Sequence, residues 1–195
     1  MRLRYIYLHF FMLGAKEVIA IDISKNYLKS TIELCKEKII NKMNKLRSYR
    51  ADLEDLPFIN DYFDFVFCSE VIEHLNNPQQ ALSEINRVLK DQGILLITTP
   101  SKHSFIEKMR RDPQHLHLWS PKEFKLMLKN YGFQVEITKG IVFISYFLQN
   151  YLERSKLLYE CISRVEDILS SLFFLKPIGW CFAVKARKIK RVERK

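Results

Sequence analysis

Val18-Ile19-Ala20-Ile21-Asp22-Ile23-Ser24 is a short apolar run that closes on a carboxylate and a serine. Four consecutive apolar residues fit a parallel strand covered on both faces, because a strand with one wet face alternates in polarity. Ser24 can then cap a helix in which Leu28, Ile32, Cys35 and Ile39 recur at spacings of four, three and four. Outward from this strand and helix the pattern repeats. Phe63 to Cys68 is a second buried run, expected as another inner strand. Asn77-Pro78 then supplies a cap and a proline at the first helical position, Leu82, Ile85 and Leu89 form one stripe, and Gly93 is expected to stop that helix. Ile94 to Thr99 reads as a third strand ended by Pro100. Ser120-Pro121-Lys122-Glu123 combines a capping serine, an N1 proline and a glutamate three residues after the cap, opening a helix that runs to about Asn130. Phe133 to Thr138 alternates as a more exposed strand, and Gly179 to Ala186 is expected as the last. Strands alternating with helices define an α/β chain with a sheet wrapped by crossover helices.

Residues 145 to 175 read as helical, with Tyr151, Leu152, Leu157, Leu158, Ile162, Val165, Ile168 and Leu169 on one apolar face. Ile141 to Leu148 is expected to be ordinary core rather than a pocket cover. At 195 residues, 48% hydrophobic and 28% charged, the chain suits one globular domain and excludes global disorder. The apolar stretches are too short or too broken to span a bilayer, so no transmembrane segment is expected. The run after Met1 is interrupted by Tyr5, Tyr7 and His9 and lacks a cleavage site, so a cytoplasmic location is expected. Cys35, Cys68, Cys161 and Cys181 form no Cys-x-x-Cys pair, which excludes a zinc ribbon and leaves buried thiols. Of the net charge of +10, residues 185 to 195 carry +6, so the body is only mildly basic. A basic terminus of this kind is a solvated tail before it is a nucleic-acid or membrane contact.

In open α/β sheets ligands bind at the carboxyl ends of the strands. Asp22 stands at such an end, where a carboxylate either accepts hydrogen bonds from ribose hydroxyls or caps the next helix. Asp52-Leu53-Glu54-Asp55-Leu56-Pro57-Phe58 is a turn of acidic and apolar side chains suited to a flat base with a carboxylate at its exocyclic amine. Ser69-Glu70-Val71-Ile72-Glu73-His74-Leu75 puts Glu70, Glu73 and His74 on one face if it is helical. His115 and His117, in a polar loop before a capped helix, suit a structural role or the rim of a substrate site. Trp119, Tyr146, Phe147 and Tyr151 are aromatic residues that line an acceptor pocket or fill core.

Together, Val18 to Ser24, Ala51 to Pro57, Phe63 to Leu75, Glu84 to Gly93 and His117 to Phe124 resemble, in order and spacing, the successive motifs of class I S-adenosylmethionine-dependent methyltransferases of the type 11 group. The resemblance covers about residues 14 to 139 and the final strand. It implies a Rossmann-like, doubly wound sheet, mostly parallel with an antiparallel last strand. It implies a methyltransferase domain over 1–187, with a helical insertion at about 141–177, and a basic tail over 188–195. Carried over residue by residue, it puts Asp22 on the ribose hydroxyls of S-adenosylmethionine, Ile23 beside the adenine, Asp52 at the adenine amine and the Leu53 amide at a ring nitrogen. Ser69 and Glu70 fall near the methionine end, and His74 becomes the candidate base or substrate contact. The implied reaction is methyl transfer to a small-molecule acceptor; a non-catalytic relative that needs a partner to complete its fold is the alternative. Glu70-x-x-Glu73-His74 also resembles the metal-binding segment of some O-methyltransferases of small RNAs and quinone precursors, with His103, His115 or His117 completing the set. The same segment is widespread in metal-free relatives, so no metal is expected.

The chain departs from the family at one motif. Its five glycines, Gly14, Gly93, Gly132, Gly140 and Gly179, form no Gly-x-Gly, so the loop that lets backbone approach the cofactor is missing. The family's first strand is expected to be missing with it. Either the chain is truncated there, which is the reading taken, or Leu3 to Met12, rich in β-formers, replaces that strand.

Overall fold

A computed structural model of the chain describes residues 10–11, 13–36, 46–104, 107–108, 112–141 and 181–189. The expected helix over 145–175, the apolar stretch beyond Ile141, the basic tail beyond residue 189 and Leu3 to Met12, apart from Phe10 and Phe11, lie outside these residues. The chain divides into two compact units, Met1–Pro57 and Phe58–Lys195.

In the first unit, β1 (Val18–Asp22) pairs in parallel with β2 (Leu46–Arg50), from Val18 opposite Leu46 to Asp22 opposite Arg50. Between them runs α1 (Lys25–Lys36), opened by Ser24, whose Oγ accepts from the Tyr27 amide at 3.3 Å. Buried Phe11 packs with Ala15, Val18 and Leu46, and Leu28 turns inward from α1. β2 was not foreseen from the sequence, because Leu46-Arg47-Ser48-Tyr49-Arg50 has no apolar run to mark it.

The second unit holds β3 (Phe63–Ser69), a 3-10 turn (Ile72–His74), α2 (Pro78–Val88), β4 (Leu89–Pro100), α3 (Pro121–Asn130), β5 (Phe133–Ile141) and β6 (Cys181–Lys188). Its sheet has the order β3-β4-β6-β5; β3 runs parallel to β4, whereas β6 is antiparallel to both its neighbours. The parallel strands and antiparallel last strand are those of a Rossmann-like α/β fold. Side chains from α2, α3 and three strands, including Leu82, Ile85, Leu95, Ile97, Phe124 and Val184, are fully buried. No helix among the described residues is long and apolar enough to cross a membrane.

Two local expectations need correction. Gly93 does not stop α2. The helix ends at Val88, and β4 starts at Leu89 with Gly93 inside a bulge, where β3 shifts register between Phe63 and Phe65. A Cβ on Gly93 would lie 2.7 Å from the Lys90 carbonyl oxygen, so the bulge requires glycine. Phe63 to Cys68 is a strand but not a fully covered one. Among the described residues β3 is terminal in its sheet, and Phe65 is 37% exposed.

The helix with the clearest sequence signal forms as expected. Ser120 Oγ accepts from the Glu123 amide at 3.2 Å, and Glu123 Oε2 accepts from the Ser120 amide at 2.7 Å. The hydrogen bond from Lys102, joined by those from Ser120, holds the Glu123 carboxyl down at about 2. Ser120→Ala removes one half of this capping box and should cost about 1 kcal/mol in urea-induced unfolding. An unchanged midpoint would mean that the cap contributes nothing to stability.

Candidate active site

In the first unit, β1 and β2 bring Asp22 and Asp52 to the same end of the parallel pair. Asp22 is in register with Arg50, and Asp52 follows two residues later. Strand spacing and rise put their backbones within roughly 10 Å. Each carboxylate spends one oxygen locally: Asp22 Oδ1 accepts from the Ser24 amide at 2.7 Å and Asp52 Oδ1 from the Glu54 amide at 3.0 Å. Asp22 is therefore a capping residue of the turn into α1, with its second oxygen left for another donor. The Arg50 guanidinium donates to the Ile23 carbonyl at 2.9 Å and holds the backbone there, while the Ile23 side chain stands 64% exposed. Leu53 is half-buried in the turn between Asp52 and Asp55.

In the second unit, the carboxyl ends of β3 and β4 build a polar cluster. Glu70 has a left-handed backbone, with φ at 52°, immediately after β3. Its carboxylate accepts from Thr98 Oγ1 at 2.9 Å and from the Cys181 thiol at 3.3 Å. Because the Thr98 proton is committed to Glu70, Ser69 Oγ donates to Thr98 Oγ1 across 2.8 Å. Burial raises the Glu70 carboxyl above its ordinary value. Burial, joined by the charge of Glu70, pushes Glu73 up to about 8. Burial also lifts Cys68 to about 12 and raises Cys181, so neither thiol is a nucleophile at neutral pH.

The segment from Glu70 to His74 is not a helix with one acidic face. It turns through Glu70 and forms only the short 3-10 turn, which separates the two glutamates' partners. Glu73, fully buried, accepts from Thr99 Oγ1 at 3.1 Å through Oε2, while its Oε1 has no hydrogen-bond partner among the described residues. Its carbonyl oxygen accepts from the amides of Leu116 and His117 at 2.9 and 3.1 Å, which ties the 115–117 segment to the 3-10 turn. His74 Nδ1 lies 2.8 Å from the Gln114 carbonyl oxygen. A carbonyl only accepts, so Nδ1 carries the proton and neutral His74 keeps its lone pair on Nε2. His115 Nδ1 is 2.6 Å from Oε1 of buried Glu107, and the His74 and His115 rings lie 4.9 Å apart.

The structure therefore brings His115 beside His74, whereas His117 stacks on Trp119 at 5.5 Å and His103 stands exposed in the turn after β4. Glu107 was not singled out from the sequence. Its signal was Ser104-Phe105-Ile106-Glu107, a capping pattern in which Ser104 Oγ accepts from the Glu107 amide at 3.2 Å. Glu107 also lines a cavity of about 490 Å³ with Lys102, Lys108, Asp112 and Leu118. Cys68 and Cys181 are buried thiols as expected, and Tyr146, Phe147 and Tyr151 lie outside the described residues.

The family described as Methyltransferase domain matches residues 5–97. The chain is 32% identical over 123 residues to an uncharacterized protein of Methanocaldococcus jannaschii, covering 60% of this chain and 55% of that one. It is 30% identical over 152 residues to the mitochondrial ubiquinone biosynthesis O-methyltransferase of Dictyostelium discoideum, covering 67% of this chain and 47% of that one. The crystal structure of Bacillus subtilis YcgJ superposes with a TM-score of 0.59 at 20% identity, covering 90% of this chain and 83% of that one. The family match covers just under half of this chain, and the solved structures share its α/β fold. The chain spans about half the length of the first curated relatives it matches.

Proposed function

We propose that the chain binds S-adenosylmethionine and moves its methyl group to a small-molecule acceptor. The observation that carries this reading is the β1–β2 register, which gives Asp22 and Asp52 one shared strand end. Asp22 would take the ribose hydroxyls with the oxygen that does not cap Ser24, Ile23 would cover one adenine face, and Asp52 and the Leu53 amide would address the adenine edge. Ser69 and Glu70 would meet the methionine end, the Ser69 oxygen retaining free lone pairs after its proton goes to Thr98. S-adenosylmethionine, when bound, would supply an electrophilic methyl carbon for a lone pair on the acceptor, with a neutral thioether as the leaving group. The acceptor's proton passes to His74 Nε2, the ring nitrogen without a proton. The chain's task is alignment, which alone supplies several kcal/mol of a bimolecular barrier. The likeness to a ubiquinone biosynthesis O-methyltransferase supports a small molecule as acceptor.

A second reading, that the chain binds cofactor only after a partner completes its sheet, is supported by the first unit, whose described strands form a sheet of two. Titrating S-adenosylhomocysteine into the purified chain separates the two. A ligand at about 100 times its Kd adds roughly 2.7 kcal/mol to folding stability, so the melting temperature should rise by several degrees. No shift at millimolar ligand favours the second reading.

A further inference from the structure

We propose that Thr98 and Cys181 are positioning residues which, acting through Glu70, hold Ser69 Oγ as a pure hydrogen-bond acceptor for the α-ammonium group of S-adenosylmethionine. The inference rests on the cofactor reading above and starts from the turn that follows β3. Glu70 stands there with φ at 52°, a left-handed backbone that a residue with a side chain keeps only when its surroundings fix it. Thr98, opposite Ser69 in the β3–β4 register, holds it at two points. The Thr98 carbonyl oxygen accepts from the Glu70 amide at 3.2 Å, and Thr98 Oγ1 donates to Glu70 Oε1 at 2.9 Å. A third point comes from β6, where buried Cys181 lies opposite Pro100 and its Sγ donates to Glu70 Oε2 at 3.3 Å. One carboxylate therefore ties together the ends of β3, β4 and β6.

The direction of the protons decides what the end of β3 can recognise. Burial raises the Glu70 carboxyl, and its two donors draw it back toward the charged form. Burial and the neighbouring Glu70 charge raise the Cys181 thiol, which keeps its proton and stays a donor at neutral pH. With the Thr98 hydroxyl proton committed to Glu70, Thr98 Oγ1 takes the Ser69 proton across 2.8 Å. Ser69, half-buried at the strand end, is left with lone pairs only. In the methionine part of S-adenosylmethionine the carboxylate only accepts and the sulfonium carries no hydrogen, so the ammonium is the one donor. At Ser69 it would find an oxygen without a competing proton, next to a carboxylate of opposite charge. Cys181, an ordinary buried thiol by its sequence setting, thus acts on a residue 111 positions earlier in the chain.

The full-length chain is titrated by calorimetry with S-adenosylhomocysteine and with its desamino analogue, which lacks only the ammonium group. Wild type should prefer the amino ligand by roughly 10-fold or more, the worth of a hydrogen bond to a charged group. Ser69→Ala should reduce this preference to roughly 2-fold or less, and Thr98→Val and Cys181→Ala should each cut it by about 3-fold or more. Thr98→Ser and Cys181→Ser, which keep a donor at each place, should preserve it. A merely structural role would weaken both ligands together and leave their ratio unchanged. Circular dichroism checks that each variant folds, and the wild-type ratio stands without any variant. Equal affinity of wild type for the two ligands, or a ratio that Thr98→Val and Cys181→Ala leave intact, overturns the proposal and spares the cofactor reading. Binding of neither ligand by wild type overturns both.

Discussion

Asp22→Asn should weaken S-adenosylhomocysteine binding by about 1.5–3 kcal/mol, roughly 10- to 150-fold in Kd by calorimetry. The amide keeps an oxygen that can accept from the Ser24 amide, as Asp22 Oδ1 does at 2.7 Å, so the turn into α1 survives. It loses the charge that makes the free oxygen a strong acceptor for two ribose hydroxyls. Asp22→Ala should add a stability loss of about 1 kcal/mol, because it removes the turn's acceptor as well. Wild-type affinity in both variants would reduce Asp22 to a capping residue, and the shared end of β1 and β2 would no longer mark a nucleoside site.

Phe124→Ala should cost about 3–5 kcal/mol of folding stability in the second unit. Phe124 is fully buried on α3, with ring centroids 5.3 Å from Trp119 and 5.5 Å from Phe182 on β6. Truncation removes two aromatic contacts and leaves a cavity between helix and sheet, against a total stability for such domains of about 5–15 kcal/mol. Trp119 adjoins the cavity, so its fluorescence reports the urea transition directly. A loss below about 1 kcal/mol would mean that α3 is not packed on the sheet through this residue.

Where local chemistry determined an element, the sequence was enough to find it. The cap and proline of α3, the Asn77-Pro78 start of α2 and the apolar runs of β1 and β3 all rest on interactions within a few residues. The end of α2 did not follow the same logic. Gly93 carries a helix-stop signal, but the helix ends at Val88 and Leu89 is already paired opposite Phe63 on β3. β2 escaped notice because an exposed strand held by its neighbour's backbone needs no apolar stripe.

The likeness to methyltransferases, the α/β class and the acidic strand tips at Asp22 and Asp52 were legible from residue order alone, because these depend on periodicity, capping and short motifs. What only the tertiary structure decided is which histidine joins Glu73. Amides at positions 116 and 117 reach back to the Glu73 carbonyl, and Glu107 fixes the His115 ring beside His74, whereas His117 turns to Trp119. His74 reaches the Gln114 carbonyl across 40 residues of chain, and no local pattern encodes a contact of that range.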